Sequence, residues 1–98
     1  MRTIIMGGKE YGARCDLNVL ERIGERYGSM AELREEIGTI KTIKFLACEM
    51  VNEENFARGE KERITENFVG ATLTMAEFAD AAGAVMACLQ DCLTPKNA

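Results

Sequence analysis

The side chains of this 98-residue chain that could do chemistry are four cysteines, sixteen acids and a single serine; there is no histidine. That absence removes the commonest general base, the Ser–His and Cys–His nucleophile pairs and the commonest metal ligand. Cys15, Cys48, Cys88 and Cys92 are even in number, which raises zinc and disulfides. A four-cysteine zinc site brings its ligands in closely spaced pairs on knuckles or turns. Here only Cys88 and Cys92 are close, and both fall inside a predicted helix. A secreted disulfide scaffold is loop-rich and poor in aliphatic residues, whereas this chain is 47% apolar with helical patterning. The preferred reading is free thiols in a reducing compartment. A cysteine nucleophile needs a lowered pKa. Cys88 and Cys92 lie toward a helix C-terminus, the wrong end for a thiolate, which leaves Cys15, just before a helix start, as the one candidate. Ser29 is accounted for as a helix cap. The acids Glu35, Glu36, Glu53, Glu54, Glu60, Glu62, Asp80 and Asp91 fall on polar helix faces or in a charged loop, so solvation is their expected role. Gly7-Gly8-Lys9 lacks the spacing and the following helix of a phosphate loop, and no calcium-loop pattern occurs. The expectation is a protein that is not an enzyme, with no catalytic, metal or cofactor site.

Twelve basic against sixteen acidic residues give a formal charge of −4. An acidic chain is a poor match for a phosphate backbone, so no nucleic-acid partner is expected. No apolar run has the ~18–20 residues of a membrane span, and the apolar stretch near Met1 is too short for a secretory signal. The length suits one domain, 1–98, and the expected location is the cytoplasm.

The elements that would carry these residues form an α+β pattern. Residues 2–14 read as a β-hairpin about Gly7-Gly8, a two-residue turn signal. That loop pairs Met6 with Lys9, Ile4 with Tyr11 and Arg2 with Ala13, and puts Ile4, Met6, Tyr11 and Ala13 on the buried face. Asp16 is a good N-cap for a helix over about 17–27, with Leu17, Leu20, Ile23 and Tyr27 inward and Gly28 at its end. Ser29 and Glu32 read as a capping box for a helix over 30–37 that Gly38 stops. Thr39 caps a helix over 40–57, whose main stripe is Ile40, Ile43, Leu46, Ala47, Met50 and Val51. A short helix over 64–69 closes at Gly70. Thr74 and Glu77 form a second capping box, opening a helix over 75–93 with Met75, Phe78, Ala82, Val85, Met86, Leu89 and Leu93 inward. Pro95 ends it.

Two surfaces stand out. Phe45, Glu49, Asn52 and Phe56 form a second stripe on the third helix, opposite the main one. Either the following loop or the hairpin covers the two aromatics, or they anchor a partner. On the last helix, Ala76, Ala84 and Ala87 line the outer side with Asp80 and Asp91. Small residues allow close approach, as in a homo-oligomer, although alanine is also simply the best helix former.

The hairpin's Gly8-Lys9-Glu10-Tyr11, the run from Cys15 through Tyr27-Gly28-Ser29, the apolar third helix and Leu73–Phe78 together resemble small tail assembly chaperones of long-tailed bacteriophages and prophages. The resemblance spans about Thr3 to Leu93 and departs where Gly12 and Gly24 replace aliphatic residues. It implies a non-enzymatic protein that binds the tape measure protein, keeps that long helical chain soluble and helps tail-tube subunits assemble around it. With the off-face stripe, it nominates Phe45 and Phe56 as anchors and Ala84 and Ala87 as a flat lining, in a helix-in-groove mode. The alternatives are a connector or completion protein retained in the virion, and a small bacterial adaptor.

Overall fold

Gly7 and Gly8 take φ of +60° and +79°, a turn with both central residues in the left-handed region. That turn joins β1 (Arg2–Met6) to β2 (Lys9–Ala13) as an antiparallel pair with Met6 opposite Lys9, Ile4 opposite Tyr11 and Arg2 opposite Ala13. The computed structural model describes residues 2–94. Five helices follow: α1 (Leu17–Tyr27), α2 (Met30–Glu36), α3 (Ile40–Ala57), α4 (Glu66–Thr72) and α5 (Met75–Leu93). The fold is α+β, a two-stranded hairpin with five helices packed about it. The Pro95 stop lies outside the described residues.

Each helix begins at a side chain that satisfies amides left open by the first turn. Asp16 accepts from the N–H groups of Asn18 and Val19, Ser29 from Glu32, Thr39 from Thr42, Thr65 from Phe68 and Thr74 from Glu77. The reciprocal Glu77 bond back to Thr74 N–H completes the capping box of α5.

The hairpin's inner face (Ile4, Met6 and Ala13) lies on α3 and α5, with α5 beside β1 and α3 beside β2. The Arg14 N–H reaches from the end of β2 to the Met50 carbonyl of α3 at 3.0 Å. α3 is the central helix. It buries Ile43, Leu46, Ala47, Met50 and Val51 among the hairpin, α4 and α5, and Thr42 and Phe45 toward α1.

Four expectations are corrected. Leu17, Ile40, Met75 and Leu93 are exposed, and Val19 takes the inward place in α1. The first three sit in the first helical position after a cap and Leu93 in the last position of α5, where helix ends project beyond the core. α4 runs 66–72 rather than 64–69, and Gly70 lies inside it. A Cβ at Gly70 would sit 3.0 Å from Lys44 Cε, so this glycine lets α4 approach the lysine stem on α3 rather than ending the helix. Lastly, Glu53 and Glu54 are buried rather than solvated. Glu53 accepts from Asn18 Nδ2 at 2.8 Å and lies 3.6 Å from an Arg22 nitrogen. Glu54 pairs with Arg14 at 3.1 Å and Arg58 at 4.0 Å. The arginines come from β2's end, α1 and α3's own C-cap, so the fold brings buried carboxylates the partners they need.

Candidate functional site

Glu77 fixes the N-terminal end of α5. Its Oε1 accepts the N–H groups of Gly7 and Thr74 at 2.8 and 3.1 Å, and its Oε2 accepts that of Gly8 at 2.8 Å. Those bonds, from Thr74 first and then from Gly8 and Gly7, hold the carboxyl down at about 2. α4 arrives at the same place through the Leu73 N–H, which bonds the Val69 carbonyl at 2.9 Å. The tight α4–α5 corner therefore stands beside the first turn of α3.

Between these three helix ends lies a groove of about 240 Å³, bordered by Ile40, Lys44, Gly70, Leu73, Thr74, Met75 and Phe78. Ile40 is 58% exposed and Met75 83% exposed; Leu73 and Phe78 are half-buried against the core. Four apolar side chains from three elements thus meet at one concave surface. Lys44 is its one charged group and makes no ion pair among the described residues. Such a surface can take an apolar stripe, with a carboxylate of the occupant satisfied at Lys44. Methionine suits this role, since its unbranched thioether adapts to irregular partners.

A second, shallower depression of about 570 Å³ lies on the far side of α4, bordered by Lys9, Tyr11, Glu62, Arg63, Ile64, Thr65 and Phe68. Tyr11 and Phe68 meet edge to face with centroids 6.3 Å apart, and Lys9 Nζ stands 5.2 Å over the Tyr11 ring. Asn52 pins the loop beneath, donating to the Ile64 carbonyl at 2.9 Å and accepting its N–H at 2.8 Å.

The nominated anchors divide. Phe45 is only 5% exposed, closed in by Tyr27 edge to face at 5.9 Å and by the Arg26 guanidinium 4.4 Å above its ring. It is a core residue and not a partner anchor, because the end of α1, rather than the hairpin or the following loop, covers that side of α3. Phe56, at the other end of α3, is 61% exposed and stays available. Ala84 and Ala87 are half-buried, and Ala84 borders a separate groove between β1 and α5. The groove residues Ile40, Leu73, Met75 and Phe78 were not nominated from sequence, where helical periodicity assigned Ile40, Met75 and Phe78 to the core.

The thiols offer little chemistry. All four cysteines are free. Burial pushes Cys48 and Cys88 up to about 11. Cys15, the sequence candidate for a nucleophile, is also shifted upward, by burial first and then by its hydrogen bond with Cys92. That is the opposite of what thiolate chemistry needs. Among the described residues no group of three or more Cys, Asp or Glu is placed to hold a metal ion, and no helix is long and apolar enough to cross a membrane. No family model, no curated protein and no solved structure matches this chain.

Proposed function

We propose that this protein is a tail assembly chaperone of a long-tailed phage or prophage. It works in the bacterial cytoplasm without catalysis, capturing apolar helical stripes of the tape measure protein in the Ile40–Leu73–Met75–Phe78 groove. The observation that carries the reading is the convergence of four apolar side chains on one open concave surface, two of them more than half exposed. Apolar side chains left in water carry aggregation risk, and their service to a partner offsets it. The resemblance of residues from about Thr3 to Leu93 to tail assembly chaperones supplies the partner. Covering its stripes lowers the exposed hydrophobic surface from which an unassembled helical chain aggregates.

Co-expression with the tape measure protein encoded in the same genome tests this. Wild-type protein is expected to raise the soluble fraction of the tape measure protein, and an Ile40→Asp/Met75→Glu variant to lose that effect while keeping its own fold. Equal solubilisation by the variant contradicts the groove. Mass spectrometry of purified tails separates the chaperone from a virion connector, because a chaperone is absent from finished particles.

A further inference from the structure

Among the described residues β1 has one edge on β2 and one edge free. In a hairpin closed by two residues, Met6–Lys9, Ile4–Tyr11 and Arg2–Ala13 are the hydrogen-bonded pairs. Thr3 and Ile5 therefore turn their N–H and C=O groups away from β2, and among the described residues neither backbone finds a partner elsewhere. α5 runs beside this edge and is tied to β1 near both ends. Arg2 donates to the two Asp91 oxygens at 2.7 and 3.1 Å, and Glu77 holds the Gly7–Gly8 turn. Between the ties lies a groove of about 190 Å³ bordered by Thr3, Ile5, Ala76, Glu77, Asp80 and Ala84. The two alanines carry nothing beyond Cβ to fill it. Ile5 is 50% exposed along its wall.

We propose that this edge is a homodimer interface, in which β1 of a second copy adds antiparallel about a two-fold axis at Ile4 and extends the hairpin into a four-stranded sheet. The register follows from the open groups. Thr3 exchanges both backbone bonds with the partner's Ile5, and Ile5 exchanges both with the partner's Thr3, so every open group on the two edges is satisfied and none is left over. Charge also selects a second copy. The groove wall carries Glu77 and Asp80, and Asp80 makes no ion pair among the described residues. β1 has an arginine and no acid. The antiparallel register puts the partner's Arg2 opposite Met6, at the end of the groove where Glu77 sits. The Arg2–Asp91 pair is about half exposed on both sides, where water screens it, so Arg2 can exchange it for Asp80 across the interface. The edge itself has no lysine, proline or bulge to block pairing. This interface uses a different side of α5 from the Met75–Phe78 groove and does not depend on the function proposed above.

Ile5→Pro is the selective variant. It removes an N–H that faces away from β2, which an edge strand tolerates within its own hairpin. Sedimentation equilibrium of the full chain at concentrations on the order of 100 μM resolves a micromolar dimer. Wild type is expected at the mass of two chains, with the Thr3 and Ile5 amides protected from hydrogen exchange. Ile5→Pro is expected to keep its circular dichroism spectrum and to raise the dimer dissociation constant at least ~10-fold, read as a fall in average mass toward one chain. Should Ile5→Pro lose its fold, Ala76→Trp, which fills the groove from an exposed position, is expected to give the same loss of dimer. A wild type that sediments as one chain overturns the proposal. So does a dimer indifferent to the folded variant, or one whose Thr3 and Ile5 amides exchange freely.

Discussion

Glu77 Oε2 accepts the Gly8 N–H at 2.8 Å, joining the first turn of α5 to the tip of a hairpin that lies 69 residues earlier in the chain. The same carboxylate takes the Gly7 and Thr74 N–H groups. One side chain therefore closes the capping box and docks the hairpin, and both grooves beside α5 inherit their geometry from it. The turn can come this close because it is glycine. At Gly7, φ is +60° and a Cβ would stand 2.9 Å from Thr72 Cγ2.

Acid should loosen this joint. The folded carboxyl titrates at about 2 against 4.5 for a free glutamate. A lowered folded pKa gives stability that is complete above 4.5 and is lost as pH falls toward about 2. The melting temperature of wild type is expected to drop more steeply over that window than that of Glu77→Gln, which starts lower and cannot titrate there. Parallel curves for the two proteins would show that Glu77 does not couple protonation to folding.

The Tyr27 hydroxyl meets the Thr42 hydroxyl at 2.9 Å, and Thr42 is fully buried. Tyr27→Phe leaves that threonine hydroxyl without its partner and should cost about 1–2 kcal/mol in urea unfolding. Adding Thr42→Val removes the orphaned group, so the double variant should recover part of the loss. A double variant weaker than the sum of the two single changes would contradict this pairing.

Cys48 and Cys88 should label slowly in the folded protein. At about 11 rather than 9.0, Cys48 and Cys88 hold ~100-fold less thiolate at neutral pH than an exposed cysteine. Iodoacetamide at pH 7.5 followed by peptide mass spectrometry is expected to leave both largely unmodified in the folded protein, and to modify them readily in urea. Labelling of the native thiols should rise as pH approaches 11. Fast labelling of Cys48 or Cys88 at neutral pH would contradict their burial.

What the sequence discloses here is local chemistry. Gly7-Gly8 dictates the hairpin and its register, and Asp16, Ser29, Thr39 and Thr74 cap helices where expected, because turns and caps are set by a few neighbouring residues. Helical periodicity is weaker evidence at helix ends. It assigned Leu17, Ile40 and Met75 to the core, yet each sits in the first position after a cap, beyond the reach of the packed layer. Phe45 is the opposite case: it is covered, and Phe56 is not. Periodicity within α3 sees one apolar stripe, and it cannot see that α1 brings Tyr27 and Arg26 across the other side. Glu53 and Glu54 read as surface acids because Arg22 and Arg14, which pair with them, lie more than thirty residues away in sequence and only Arg58 is local. The groove was hidden for the same reason: its walls come from three helix ends that only the tertiary fold brings together.

The most direct test of the groove is a methyl spectrum. The chain has six methionines, of which Met6 and Met50 are buried and Met75 is the most exposed of the large apolar side chains. With methionine methyl groups labelled by ¹³C, titration with an apolar helical segment of the tape measure protein should move the Met75 resonance and leave Met6 and Met50 in place. Saturable binding that leaves Met75 unmoved, or no binding at all, would contradict capture at the Ile40–Leu73–Met75–Phe78 surface.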